Sequence, residues 1–258
     1  MSRLESNLQA VRTRIAAAAR AAGRDPSSVA LLAVSKTWPA DDVRALAALG
    51  QGDFGENRAQ ELLAKARQLE ETGPADLPLR WHFIGQLQRN KAAAVARLGA
   101  VVHSVDRRSL AEVLDRAGRD AGRPVEVYVQ VDLSGDAGTP AGRGGAAPDD
   151  VPALADAVDS AAGLHLRGLM AVAPLGVPAG PAFDRLAALA ARVRADHPSA
   201  VDLSAGMSGD LEGAIAAGAT VVRVGTALFG DRPLPSGQDR ISPATPVTPV
   251  THAPEAPV

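Results

Sequence analysis

The N-terminal segment carries apolar residues on one face of a predicted helix. This face is formed by residues spaced three or four apart, the period of an α-helix: Leu4, Leu8, Val11 and Ile15. Ser2 and Glu5 have the spacing of a capping box, in which each side chain bonds the other residue's backbone N–H. The pattern predicts a first helix over residues 4–22, which Gly23 ends.

After this helix, short apolar runs bounded by turn signals alternate with segments of helical periodicity. The apolar runs predict strands over residues 28–35, 53–57, 81–85, 100–105, 124–133, 164–172, 200–204 and 219–225. The helical segments cover residues 41–50, 58–71, 88–98, 108–122, 149–161, 181–197, 209–218 and a short stretch at 226–230. Repeated strand–helix units indicate a parallel sheet.

Eight such units in roughly 200 residues favour closure into a barrel. The predicted fold class is α/β: a single (β/α)8 TIM-type barrel over residues 1–232, with an extra N-terminal helix. An open doubly wound sheet is the alternative, which a glycine-rich dinucleotide fingerprint directly after the first strand would favour. A loose match to that fingerprint, at 142–147, begins well beyond the fifth predicted strand and indicates a flexible loop. Residues 233–258 are rich in proline, serine and threonine and predict a disordered tail.

Composition and charge exclude several classes of protein. The net charge is −2 and the 27 basic residues are scattered, so a nucleic-acid partner is not expected. The sequence contains no apolar run long enough for a membrane span, and its polar N-terminus is not typical of a signal peptide. The chain has no cysteine, which excludes disulfides, thiolate catalysis and cysteine-ligated metal. We expect a cytoplasmic protein that holds no metal ion.

Lys36 directly follows the first predicted strand, at the end of a parallel barrel where active sites lie. Strand alternation places Leu32, Val34 and Lys36 on one side, so an inward-facing Leu32 implies an inward-facing Lys36. A desolvated amine is partly neutral and attacks carbonyl groups. Two other interpretations stay open: a lysine extended towards solvent at the barrel rim, or an ion pair between Lys36 and Glu56.

Two loops at the end of the predicted barrel have the chemistry of a phosphate site. The segment 204–209 follows the seventh strand, and Gly225 and Thr226 follow the eighth. Barrels often bind phosphate with these two loops, because glycine admits the anion to free backbone N–H groups. Ser208 and Thr226 would add hydroxyl donors. Ordinary N-capping of the following helices by Ser208 and Thr226 is the alternative interpretation, and it is compatible with phosphate binding.

Arg223 interrupts the otherwise apolar eighth strand. A buried guanidinium needs a partner, which predicts either a structural ion pair with Glu56 or Asp202, or recognition of a ligand atom that accepts a hydrogen bond. His82 and His103 are weaker candidates, because such residues are more often core or rim histidines than catalytic ones.

Six segments, in this order along the chain, resemble the pyridoxal phosphate homeostasis protein family: LLAVSKTWP, FGENRAQE, WHFIGQLQRNK, GLMAVAP, LSAGMSGDLEGAIAAG and RVGTALFG. The resemblance covers about residues 4 to 230. It implies a barrel related to the N-terminal domain of alanine racemase that binds pyridoxal 5′-phosphate (PLP). It also implies that Lys36 forms a Schiff base with PLP, that Arg223 faces the pyridine nitrogen, and that the phosphate is held by Ser208, Gly225 and Thr226. Further residues implied to line the cofactor are Asn57, Met207 and, less directly, His82.

The family is implicated in vitamin B6 homeostasis and has no established reaction, so the resemblance implies a PLP-binding protein that is not an enzyme. It further implies a monomer, with PLP-dependent apo-enzymes as a candidate class of protein partner. The sequence departs from the family in the glycine-rich segment 134–147, which is longer than expected, and in the proline-rich tail.

A PLP-dependent amino-acid racemase is the alternative function. Racemisation needs an acid or base on each face of the substrate carbon, and racemases supply the second one from a tyrosine in a separate domain. We expect this chain to lack such a domain, and its single tyrosine, Tyr128, lies inside a predicted strand. A third possibility is a barrel for another phosphorylated ligand, with Lys36 only an ion-pair partner.

Overall fold

The computed structural model describes residues 1–72, 79–134, 144–174 and 178–230. Within them the strands are β1 Ala30–Val34, β2 Asp53–Glu56, β3 Arg80–Phe83, β4 Val101–Val105, β5 Val125–Val131, β6 Leu164–Ala171, β7 Asp202–Ser204 and β8 Val221–Val224. The helices are α1 Arg3–Ala21, α2 Ala40–Ala48, α3 Ala59–Thr72, α4 Arg89–Leu98, α5 Arg108–Asp120, α6 Val151–Asp159, α7 Gly180–Asp196, α8 Leu211–Ala216 and α9 Thr226–Phe229. Single 3₁₀ turns lie at Pro26–Ser28 and Pro148–Asp150.

The eight strands close into a parallel barrel in sequence order, with β1 hydrogen-bonded to both β2 and β8. The predicted (β/α)8 barrel is therefore confirmed, and the open-sheet alternative is wrong. The β1–β8 register places Leu32 beside Arg223. Because both side chains lie in the barrel interior, the inward orientation predicted from strand alternation holds at this closing pair.

Helix α1 is the predicted extra helix, and its capping box at Ser2 and Glu5 is formed. Its apolar face packs on α2, α8 and α9. Two polar contacts tie α1 to the end of the barrel: Asn7 Nδ2 donates to the carbonyl of Leu228 at 2.8 Å, and Arg14 donates to the carbonyl of Ser208 at 3.1 Å. The added helix therefore supports the two loops that follow β7 and β8.

The main hydrophobic core lies between the strands and the surrounding helices, with Phe54, Leu62, Phe83 and Leu110 among its fully buried members. The barrel interior differs, because it buries several polar side chains next to a small apolar cluster of Val101, Tyr128 and Met170. These buried polar residues include His82, His103, Gln130, Ser204 and Arg223. A TIM-barrel interior usually consists of branched apolar residues, so the polar set indicates a functional or positioning role.

Some predicted boundaries differ from the structure. The helix predicted over 149–161 begins at Val151 after a 3₁₀ turn, since Pro148 and Pro152 favour helix starts over helix interiors. No helix in the described part of the chain is both long and apolar enough to cross a membrane. The predicted tail 233–258 and most of the segment 134–147 lie outside the described residues.

Candidate functional site

A cavity of about 570 Å³ opens at the carboxyl ends of the strands. It brings together nearly all the site residues predicted from the sequence, with His82 as the exception: Lys36, Asn57, Met207, Ser208, Arg223, Gly225 and Thr226. This is the end of a TIM barrel at which active sites are built. The volume lies in the range of small-molecule pockets, about 300–1,000 Å³.

Lys36 lies directly after β1 and lines the cavity, and its side chain is half-buried. Among the described residues, its amine has neither an ion-pair nor a hydrogen-bond partner. Glu56, the predicted alternative partner, instead accepts from Lys65 Nζ at 2.7 Å. The ion-pair interpretation of Lys36 and Glu56 is therefore wrong.

Arg223 is buried at the bottom of the cavity, with 4% of its surface exposed. Its guanidinium donates to the carbonyl and Oγ of Ser204 at 2.7 and 2.8 Å and to the carbonyl of Ala171 at 2.7 Å. Burial lowers the pKa of Arg223 to about 10, so the group is still charged at neutral pH. The predicted ion pairs with Glu56 and Asp202 are absent from the described residues, because neutral acceptors take their place.

His82 does not line the cavity, which corrects the expectation that it contacts a cofactor. Its Nδ1 lies 2.9 Å from Nε2 of His103, and its Nε2 lies 2.8 Å from a carboxylate oxygen of Asp53. His82 contributes instead to a smaller cavity, of about 260 Å³, at the opposite end of the barrel. Ile84, two residues further along the chain, lines the cavity at the carboxyl ends of the strands, where His82 was expected.

His103 extends this contact into a chain of hydrogen bonds through the barrel interior. Its Nδ1 lies 3.0 Å from Ser204 Oγ, the same atom that accepts from Arg223. One set of proton positions satisfies every member: Arg223 donates to Ser204, Ser204 to His103, His103 to His82, and His82 to Asp53. Burial lowers the pKa of both histidines, which favours the neutral rings that this arrangement requires.

The loops after β7 and β8 meet through a hydrogen bond, since Ser208 Oγ accepts from the backbone N–H of Ala227 at 3.3 Å. Ser208 thus caps α9 across the gap and not its own helix α8, whose N-cap residue is Asp210. Thr226 is the first residue of α9, and Gly225 is its N-cap residue. The capping alternative therefore holds for Ser208, on α9, whereas Thr226 is not an N-cap residue. Both hydroxyl-bearing residues line the cavity wall.

Glycine is required at one position of this loop. Gly206 has φ +87°, and a Cβ there would lie 2.6 Å from the methyl group of Ala214. Its carbonyl accepts from the backbone N–H of Arg223 at 2.9 Å. Gly206 therefore fixes the path of the 204–209 segment against β8, next to the residue that lies at the bottom of the cavity.

Comparison with known proteins agrees with this geometry. Residues 6–233 match the family described as alanine racemase, N-terminal domain. The chain is 49% identical over 239 residues to the pyridoxal phosphate homeostasis protein of Pseudomonas aeruginosa, covering 90% of this chain and 97% of that protein. It is 45% identical over 246 residues to the protein of the same name from Mycobacterium tuberculosis, covering 91% and 95% of the two chains. The chain belongs to the pyridoxal phosphate homeostasis protein family.

Solved structures extend the likeness of this family member to three dimensions. PipY of Synechococcus elongatus, solved with PLP bound, has a TM-score of 0.76 and 37% identity, covering 88% of this chain and all of that one. Alanine racemase from Streptomyces coelicolor has a TM-score of 0.66 and 25% identity, but 58% of its chain is covered. The resemblance stated from six sequence segments is thus confirmed.

Several cavity residues were not among the predicted site residues. They are Val34, Thr37, Trp38, Ile84, Gly85, Gln86, Gln130, Met170, Val172 and Gly230. Gln86 and Gln130 follow or lie within strands, and this position does indicate them as polar residues at the site, but it assigns them no role. The apolar members carry no such signal, because an apolar residue at a strand end has the same pattern as a core residue.

The ionisable side chains on the described wall of the cavity are Lys36 and Arg223. Tyr128 lies elsewhere: its ring stacks on His103 with centroids 4.2 Å apart, and its hydroxyl donates to Asp202 at 3.1 Å. Burial raises the pKa of Tyr128, and the Asp202 carboxylate adds to the effect. Apart from the Lys36 amine and the Arg223 guanidinium, the described cavity wall therefore presents no acid or base.

Proposed function

We propose that this protein binds PLP through Lys36 and acts in PLP homeostasis without catalysing a reaction of its own. The observation that carries the proposal is the Lys36 amine, which has no partner among the described residues, in a cavity that also contains the Ser208 and Thr226 loops and the Arg223 guanidinium. The names of the relatives and the PLP bound to PipY support the choice of ligand.

The residues present fit the three chemical groups of PLP. Lys36 offers an amine for the aldehyde. Among the described residues, the backbone N–H groups of Ser208 and Gly209 have no acceptor, and a phosphate would supply one. Arg223 offers a charged donor that matches the pyridine nitrogen, which accepts hydrogen bonds.

Bound PLP supplies an aldehyde and an electron-withdrawing ring, the properties on which PLP enzymes depend. A guanidinium facing the ring nitrogen stays protonated and therefore discourages protonation of that nitrogen, which weakens the electron-withdrawing property. Together with the lack of a second acid or base on the described cavity wall, Arg223 favours holding the cofactor over using it. The lack of a second acid or base on the described cavity wall also disfavours the racemase alternative.

We further infer a cytoplasmic monomer whose protein partners are PLP-dependent apo-enzymes. Size-exclusion chromatography of the protein alone would test whether it is a monomer, and the same experiment on a mixture with such an apo-enzyme would test whether the two form a complex. Activation of the apo-enzyme by the PLP-loaded protein, compared with the same concentration of free PLP, would test the transfer.

The binding experiment is simple because the chain contains three lysines, Lys36, Lys65 and Lys91. PLP added to the purified protein should give the visible absorption of a Schiff base, and borohydride reduction should fix one PLP to the Lys36 peptide. Lys36→Ala should abolish both signals, whereas the matched variant Lys91→Ala should keep them. A wild-type protein that stays colourless with excess PLP, or an adduct on another lysine, would refute the proposal.

A further inference from the structure

The backbone around Lys36 forms a strained turn. Trp38 N–H donates to the carbonyl of Ser35 at 3.0 Å, so Lys36 and Thr37 occupy the two central positions of a four-residue turn. Thr37 has φ +69° and is the one non-glycine residue with positive φ in the described part of the chain. This is the pattern of a type II turn, which favours glycine or asparagine at that position. A β-branched threonine there is costly, and surrounding contacts must compensate.

Two side chains of α3 contact this turn on both sides of Lys36. Glu61 Oε1 accepts from the backbone N–H of Thr37 at 2.5 Å, directly after the lysine. Lys65 Nζ donates to the carbonyl of Ser35 at 2.7 Å, directly before it. Lys65 also donates to Glu61 at 2.9 Å, so the two contacts belong to one cluster.

Buried charges anchor this cluster beneath the turn. Lys65 Nζ makes its third contact with Glu56 Oε1 at 2.7 Å, and the Glu56 side chain is fully buried. Ser35 Oγ donates to the same carboxylate oxygen at 2.7 Å. All three ammonium protons of Lys65 thus have acceptors, and hydrogen bonds of this kind are stronger than neutral ones. Within the described residues, Lys65 Nζ and Glu56 Oε1 have their partners through the turn, whereas Glu56 Oε2 has none and the Lys36 amine lies outside the cluster.

We propose that Glu61 and Lys65 are positioning residues for Lys36, which hold the strained Ser35–Trp38 turn in the conformation that directs the Lys36 amine into the cavity. The inference rests on the proposed function, because the position of the amine matters for capturing a carbonyl ligand. It adds to that function two residues on α3 that do not line the cavity. The N–H of the third turn residue, here Thr37, points in opposite directions in type I and type II turns. Because the Glu61 carboxylate accepts from this N–H, it favours the type II conformation.

Glu61→Ala is the main test, because Glu61 is partly exposed and its loss leaves the Lys65–Glu56 pair intact. Glu70→Ala, an exposed glutamate on the same helix, is the matched control. Removing a hydrogen bond to a charged group costs about 1.5–3 kcal/mol, or roughly 10- to 100-fold in an equilibrium constant. We therefore expect Glu61→Ala to weaken PLP binding at least ~10-fold, with Glu70→Ala equal to wild type.

Adding Thr37→Gly to Glu61→Ala separates a positioning role from a general structural one. Glycine removes the cost of positive φ, so we expect the double variant to recover much of the lost PLP affinity although no contact is restored. Lys65→Met is a less suitable test, since it leaves the buried Glu56 without its positively charged partner and endangers folding.

Two measurements need no PLP. Amide hydrogen exchange should show Thr37 N–H protected in wild type and unprotected in Glu61→Ala. Reductive methylation with formaldehyde, quantified on the Lys36 peptide, should slow in Glu61→Ala relative to Glu70→Ala. An unprotected Thr37 amide in wild type, or equal methylation in the two variants, overturns the inference. If both differences are observed but the wild-type protein binds no PLP, the proposed function is refuted and the positioning role of Glu61 stands.

Discussion

Ser204 is the residue at which the hydrogen-bond chain of the barrel interior meets the cavity arginine. Ser204→Ala would remove the Oγ that accepts from Arg223 at 2.8 Å and that lies 3.0 Å from His103 Nδ1. The two carbonyl acceptors of Arg223, at Ser204 and Ala171, would remain. His103 is fully buried, so its Nδ1 would lose its partner where water does not reach.

The cost follows from these contacts. A hydrogen bond to a charged group contributes about 1.5–3 kcal/mol, and a buried polar atom left without a partner costs about 1–3 kcal/mol. Because the two effects share one oxygen atom, we expect the free energy of unfolding to fall by roughly 2–4 kcal/mol. For a chain of this size each kcal/mol shifts Tm by about 2–4 °C, so Tm should fall by roughly 5–15 °C.

The matched control is Ser104→Ala, at the neighbouring position to His103 on β4. Ser104 is also buried, but its Oγ has no hydrogen-bond partner within the described residues. Removing an unsatisfied hydroxyl is expected to be neutral or to stabilise by up to ~1 kcal/mol. Urea unfolding of PLP-free wild type and both variants measures the difference. Equal changes in the two serine variants would refute the assignment of Ser204 as a link in the chain.

Three further predictions concern the loops and the surface. Ser208→Ala should weaken PLP retention, measured by dialysis, without lowering Tm by more than a few degrees; unchanged affinity would place the phosphate elsewhere. Gly206→Ala should lower both Tm and PLP affinity, because φ +87° is strained for alanine, and a wild-type Tm would contradict this. Although burial opposes it, hydrogen bonds to Asp159 and Asp156 raise the pKa of His197. The stabilisation that protonated His197 gives should therefore be fully present below its pKa in the unfolded chain, about 6.5. It should be lost as the pH rises through the higher pKa of His197 in the folded protein. In urea unfolding as a function of pH, His197→Gln should remove this dependence, and a parallel profile would contradict it.

The sequence predicts the barrel and the charged and phosphate-loop residues of the cavity because the relevant signals are local. The two-residue period of β1 places Lys36 inward once Leu32 is inward, and the charged residue in apolar β8 identifies Arg223 in the same way. Periodicity gives the side of a strand but not the depth along the barrel axis. His82 points inward as a candidate would, yet it lies below the cavity, where its register partner is Gly55 and its ring contacts the Asp53 carboxylate.

Partners across the fold have no local signal at all. Glu56 is a reasonable expected partner for Lys36, since Lys36 follows β1 and Glu56 ends the adjacent strand β2. In the structure, Lys65 of α3 pairs with Glu56 instead. Arg223 was expected to pair with a carboxylate, whereas main-chain carbonyls and a serine hydroxyl satisfy it. In both cases the contact depends on how a helix or a distant strand packs, which the spacing of residues along the chain does not encode.

The absence of a carboxylate beside Arg223, within the described residues, has a consequence for ligand choice. A buried guanidinium with neutral acceptors is a desolvated positive charge, and burial lowers its pKa for that reason. A ligand that brings a hydrogen-bond acceptor to the guanidinium offsets part of this desolvation cost. A carboxylate of the protein beside Arg223 would already have offset it without a ligand. The hydrogen-bond chain to Asp53 holds the guanidinium in place without neutralising it nearby. Arg223 is thus kept rigid and charged at the bottom of the cavity, which suits recognition of an unprotonated ring nitrogen.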